Sequence, residues 1–353
     1  MKKNRYFIII AIFLALVALF LVLTRSGTTF KRSLSNFAVS DTSNITLIFM
    51  SDKNNNTLTL SREPGGGWTV NDRFPAQKYN VDMLLQTLKD LEVKEPVPRA
   101  ARNNIIRELA VNSVKVEIYQ KVHRITLAGI RLFPHVKMTR VYYVGGATQN
   151  NRGTFMLMEH SEEPFVTFLP GFRGFVSPRY TPIEKYWRDY TIFRIGAQGI
   201  VSASVEYPAY PDFSFSVTNI PGGNPVLIRL NDRSEIKDYD TAKVWSFLAA
   251  FSSVSFEALL NDIDPHLKDS VLASTPLCII TVRDTAGKET VVKTYHKNAG
   301  PGSAEYYGRE VPYDLDRLYA LMNDGQDFTL IQFFVFDKIL RTAPFFNREP
   351  GIR

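Results

Sequence analysis

One cysteine, Cys278, in 353 residues excludes an intrachain disulfide framework. It stands in the apolar run Leu277-Cys278-Ile279-Ile280-Thr281-Val282, with no histidine or second cysteine near it in sequence, and reads as a buried small hydrophobe rather than a reactive thiol. Histidine is scarce too. None of the five, at 123, 135, 160, 266 and 296, lies four residues from another, so no helix face carries a zinc-binding pair. Asp262-Ile263-Asp264-Pro265-His266 comes nearest to a ligand cluster, but it lacks the glycine and distal glutamate of a calcium loop, and its carboxylates suit the end of one helix and the cap of the next. The sequence holds no G-x-S-x-G elbow. Gly300-Pro301-Gly302-Ser303 is followed by no Lys-Ser/Thr pair, and Gly65-Gly66-Gly67 precedes a strand rather than a helix, so neither cradles phosphate. The expectation is a protein that is not an enzyme and takes no metal or cofactor.

Acidic residues are missing from the first forty positions, the first being Asp41. The formal charge of +7 therefore owes four of its units to Lys2, Lys3, Arg5 and Arg25, and only +3 remains for the rest of the chain. The densest basic group, Arg99, Arg102 and Arg107, contains Glu108. A phosphate-binding stripe of Lys and Arg is absent, so nucleic acid is not an expected partner.

Tyr6 to Leu23 carry no charge and would make a helix of about 27 Å, close to one bilayer core. Basic residues precede the run, and Leu23-Thr24-Arg25-Ser26 offers no small-x-small cleavage site. This pattern predicts a cytoplasmic tip and uncleaved signal anchor over 1–24, with a cleaved signal peptide as the alternative. The rest would lie outside the cytoplasm on a single-pass inner-membrane protein, beginning with a polar stalk over 25–43.

Beyond it the chain echoes itself. YNVDMLLQTLKDLEV from Tyr79 returns as YDTAKVWSFLAAFSSV from Tyr239, and Phe165-Val166-Thr167-Phe168 returns as Phe328-Thr329-Leu330-Ile331. Alternating runs such as Val114 to Tyr119 mark strands around each helix, the first of which Asn80 would cap. The expected fold class is α+β: two related units, 44–193 and 194–353, each with mostly antiparallel strands and one main helix. Ile331 to Leu340 is too short to span a membrane and reads as a core strand.

The most biased stretch runs from Phe165 to Phe193, where aromatics alternate with arginines. Its candidate binding patch is Phe172, Arg173, Phe175, Arg179, Tyr180, Trp187 and Arg188, since aromatics and arginine concentrate in interface hot spots. The competing expectation is that these rings pack one unit against the other. Trp68, Tyr180 and Trp187 could instead form aromatic platforms for an envelope glycan or similar ligand.

GGGWTVNDRFPAQKYNVDMLLQTLKDLEV, VYYVGGATQNNRGTFMLM and WRDYTIF together resemble the bacterial domain-of-unknown-function 4340 family, through the Trp68 strand, the Tyr79 helix, Tyr143-Val144-Gly145-Gly146 and Trp187-Arg188-Asp189. The resemblance is best between Ile45 and Phe193. It implies an anchored extracytoplasmic protein, some members being encoded beside ABC-type transport systems, and it supplies no catalytic residues. The expected function is thus a non-enzymatic, membrane-anchored scaffold or accessory protein that binds a protein partner in the envelope.

Overall fold

The computed structural model describes residues 35–127, 130–300, 305–306 and 309–348, together with Phe13, Leu14, Ala15 and Val17. The expected signal anchor therefore lies outside the described residues but for those four. Among the described residues, no helix is long and apolar enough to cross a membrane. The chain divides into two compact units, Met1–Asp189 and Tyr190–Arg353. The fold is α+β, dominated by antiparallel strands in two large sheets.

In the first unit the strands are β1 (Ile45–Ser51), β2 (Thr57–Arg62), β3 (Trp68–Val70), β4 (Phe74–Pro75), β5 (Glu92–Pro96), β6 (Val114–Leu127), β7 (Ile130–Ala147), β8 (Thr154–Met158) and β9 (Phe165–Phe168). Helix α1 (Lys78–Asp90) follows β4, and α2 (Arg99–Asn112) follows β5. The nine strands are ordered β4-β3-β2-β1-β6-β7-β8-β9-β5. Val81, Leu84 and Leu88 recur at helical spacing and seat α1 on one face of this sheet, against Ile48, Ile118, Tyr142 and Met156. On the other face Leu109 of α2 meets β7 at Gly145, where a Cβ would come within 2.4 Å of its Cδ2. Phe37 and Val39, which the polarity of 25–43 placed in a stalk, belong to the first core, and Val39 N–H donates to the Leu88 carbonyl at 2.8 Å.

The second unit contains β10 (Thr191–Phe193), β11 (Ile200–Glu206), β12 (Phe215–Thr218), β13 (Val226–Arg229), α3 (Thr241–Ala249), β14 (Val254–Ser255), β15 (Ala258–Leu259), α4 (Pro265–Ala273), β16 (Cys278–Asp284), β17 (Glu289–Asn298), β18 (Glu305–Tyr306), β19 (Arg309–Glu310), β20 (Tyr313–Met322), β21 (Asp327–Gln332) and α5 (Phe333–Phe336). Its eight-stranded sheet is ordered β13-β12-β11-β16-β17-β20-β21-β15. Position by position this is the order of the first sheet without β4. Even the irregularities agree: β1 shifts register against β6 between Ile45 and Leu47, and β11 does so against β16 between Ile200 and Ser202. Phe193 lies in the second core, so 190–193 go with this unit.

The helices correspond in a different register from the Tyr79–Tyr239 echo. Val81, Leu84 and Leu88 match Val244, Phe247 and Phe251 in burial, which sets the N-cap Gln77 opposite the N-cap Asp240. Tyr79 is an exposed residue inside α1, whereas Tyr239 precedes α3 and donates its hydroxyl to the Pro225 carbonyl. Asn80 is likewise inside α1, its amide bonding Gln77 Oε1 and the Tyr186 carbonyl rather than capping the helix. The run expected as a strand from Ile331 turns helical at Phe333, where Phe336 enters the core. Asp264 does cap α4, its carboxylate accepting from His266 N–H at 2.9 Å.

Candidate functional site

After β9 the first unit is closed by a segment with little regular structure, 169–189. Four residues pin it inside the core: Leu169, Val176, Tyr180 and Trp187, at 7%, 1%, 0% and 3% exposure. Its end is tied to the start of α1. Gln77 N–H donates to the Trp187 carbonyl at 2.7 Å, and Ala76 bridges to Arg188. The second unit ends the same way, with Asp240 N–H on the Phe346 carbonyl at 2.8 Å and a bridge from Tyr239 to Asn347. Trp187 and Phe346 are therefore equivalent plugs, each the last core aromatic of its own unit.

This geometry divides the candidate patch. Tyr180 meets the Tyr142 ring edge to face at 6.2 Å, and burial pushes its phenol up to about 12. Trp187 Nε1–H donates to the Thr181 carbonyl at 2.8 Å. Arg188 is buried with its guanidinium 3.5 Å from the Phe74 ring centroid and 3.7 Å from Glu184 Oε1. These three side chains hold the closing segment. Phe172, Arg173 and Phe175 are exposed, on a turn made possible by Gly171 at φ +77°. Arg179 is half-buried between the two groups: Nη1 donates to Thr87 Oγ1 at 2.8 Å, and the guanidinium lies 4.7 Å from the Phe172 centroid. Thr87 is fixed in turn by donating to the Met83 carbonyl.

Beside Arg179 the closing segment stands off α1 and leaves a cavity of about 540 Å³. Met83, Pro178, Ile183, Tyr186 and one edge of Trp187 supply its apolar wall. Asn80 and Thr181 complete it; the Asn80 amide donates to the Tyr186 carbonyl, and the Thr181 carbonyl accepts from Trp187 Nε1–H. Arg179 is different. No carboxylate among the described residues pairs with it, so it is a fixed cation at the rim of an apolar groove.

The other sequence candidates lie elsewhere. Trp68 is half-buried under the Arg62 guanidinium, 4.8 Å from its ring centroid, and takes no part in the groove. Tyr180 and Trp187 are buried, so of the three expected platforms only Trp68 is partly exposed. Cys278 is fully buried beside Thr294 Oγ1 at 3.1 Å, and burial pushes its thiol up to about 12. Among the described residues no group of three His, Cys, Asp or Glu could hold a metal ion. Met83, Ile183 and Tyr186 were not singled out from sequence. Only the aromatic–arginine bias nearby hinted at them, because the groove depends on how the closing segment crosses α1.

Compared with family models, with curated proteins and with solved structures, the chain matches none. The resemblance to the domain-of-unknown-function 4340 family rests on the quoted motifs alone.

Proposed function

We propose that this protein is a non-enzymatic envelope scaffold or accessory protein, anchored through its N-terminal apolar run with both units outside the cytoplasm. It would hold a protein partner through the groove of the first unit. The observation that carries this reading is the pairing of a preformed apolar groove with Arg179, an ordered cation that no acid pairs with among the described residues. Such a site fits an extended partner segment that places an acidic side chain on Arg179 between apolar ones, and charge-assisted hydrogen bonds to arginine are strong where water is partly excluded. Association with an ABC-type transport system is what the family resemblance adds.

The test is photocrosslinking in gently solubilised membranes, with a benzophenone amino acid at Tyr186 and, as control, at Asn54 in an exposed turn. A discrete adduct at Tyr186 that is lost in Arg179→Glu supports the proposal. Recovery of a lone, uncrosslinked monomer with intact wild-type folding overturns it.

A further inference from the structure

The hairpin of β6 and β7 outruns its sheet. β1 accompanies β6 no further than Gln120, and β8 accompanies β7 only from Tyr142. Between the pairs Lys121–Val136 and Leu127–Ile130 the two strands have only each other. The corresponding hairpin of the second unit, β16–β17, closes at Arg283–Glu289 with no extension. No residue of 121–138 belongs to a core cluster among the described residues. The arm is therefore an addition to the repeated fold rather than part of what holds it together.

A bare two-stranded ribbon is marginal in water, and this one exposes an apolar face. Ile125, Leu132, Val136 and Met138 fall on the same side by their pairing, at 48%, 47%, 58% and 43% exposure. Phe133 beside them is 63% exposed and has φ +56°, an outlier for a bulky side chain. By the same pairing that face also carries His123, Pro134 and, opposite Val136, Lys121. Lys121, Arg124, Arg131 and Lys137 lie along the arm, and no Asp or Glu occurs between Glu117 and Glu159.

We infer that this arm is a lipid-contacting element that lays the face of Ile125, Leu132, Val136 and Met138 in the interface of an anionic membrane, with Lys121, Arg124 and Lys137 at the headgroups. Apolar burial at the acyl boundary and attraction to anionic lipid act together on this composition. Strand addition by a protein fits less well. Phe133 at φ +56° and Pro134, which brings no N–H, make β7 a poor edge template here, and lysines along a ribbon oppose edge pairing.

The experiment uses the full chain with Leu132→Cys carrying an environment-sensitive fluorophore. Cys278 is fully buried and stays unlabelled in the folded protein. The protein is reconstituted in phosphatidylcholine vesicles with or without phosphatidylglycerol, and a label at Asn54→Cys serves as control. The expected result is a blue shift and quenching by lipid nitroxides at 132 only when phosphatidylglycerol is present, reversed by high salt and lost in K121E/R124E/K137E with unchanged melting. If that variant fails to fold, the salt reversal in the parent protein carries the same test. A label that stays in water in anionic vesicles overturns the inference. Equal shielding in neutral vesicles overturns its electrostatic part. Shielding that needs added membrane proteins assigns the arm to a protein partner and overturns it as well.

Discussion

Trp187→Ala tests whether the closing segment is a lock on one unit. The indole is 3% exposed in the first core, and its removal deletes a large apolar group whose cavity the surroundings fill only partly. Truncations of this kind cost about 3–5 kcal/mol. The Thr181 carbonyl also loses the Nε1–H at 2.8 Å, although the adjoining groove admits water and limits that loss to the lower end of about 0.5–1.5 kcal/mol. A cost of roughly 4 kcal/mol follows, and at about 2–4 °C per kcal/mol for units of this size the first unit should melt roughly 10 °C lower. Phe346→Ala should do the same to the second unit, because its ring packs on Phe215 and Phe247 at 4.8 and 5.7 Å. Hydrogen exchange resolved by peptide separates the two cases. Trp187→Ala should speed exchange in α1, β1 and β6 while β11, β16 and α3 keep their protection, and Phe346→Ala should give the mirror image. Faster exchange in both units from either substitution, or a loss below about 1 kcal/mol, would refute the assignment of each aromatic as a plug for its own unit.

Gly145→Ala should cost about 1–3 kcal/mol by overpacking, since the new Cβ meets Leu109 and also the Phe155 carbonyl at 3.1 Å. Gly146→Ala should cost less, because only the flexible Glu108 carboxylate stands in the way, and urea titration of the two variants decides. Cys278 should resist maleimide in the native protein at neutral pH and react once the second unit unfolds, since it is buried with its thiol pushed up to about 12. Replacing 121–138 by a turn like that between Asp284 and Glu289 should leave the thermal midpoint within a few degrees, and a collapse of the first unit would show the arm to be structural. Burial holds His296, stacked on Tyr313 at 4.1 Å, below its ordinary value of 6.5. The unfolded chain then takes up the proton first as pH falls, so the second unit should keep this contribution above about pH 6.5 and lose it below. His296→Phe should flatten that slope in a series of melts.

The strands were legible because half-buried sheets alternate, and the buried Val116 and Ile118 beside partly exposed Lys115 and Glu117 show the rule that Val114 to Tyr119 had spelled out. The exact match of the helices was not legible. Apolar residues three and four apart survive a slip of nearly one turn, so Tyr79 could be set against Tyr239 when burial pairs Val81 with Val244. The start of α1 gave no signal either, because Gln77 makes no side-chain capping bond, whereas Asp240 accepts from Ala242 and Lys243 N–H and marks α3 plainly. Helix α2 was hidden in a charged stretch after Pro98 in which Leu109 is the one buried residue. The groove could not have been read at all. Arg179, Ile183 and Tyr186 are recognisable only as neighbours of an aromatic run, and what gathers them on Met83 is the non-periodic path of the closing segment.

The two units act as controls for each other. What both possess is explained by folding: the strand order, the irregularity after Ile45 and Ile200, the helix beneath the sheet, and the bridge that closes on Trp187 or Phe346. What one unit has alone needs another cause. The second unit covers the ring of Phe345, the counterpart of Tyr186, with Lys243 at 5.3 Å and Arg341 at 4.7 Å from its centroid. In the first unit the counterpart of Lys243 is Asn80, too short to reach across the ring, and Tyr186 is left 52% exposed at the edge of the groove. The same contrast isolates the arm, which lengthens one hairpin well beyond its twin and places apolar side chains in water. Exposed apolar surface that the twin fold does without costs solubility and adds nothing to the core, and these two unshared features are where the proposals place a partner segment and a lipid surface.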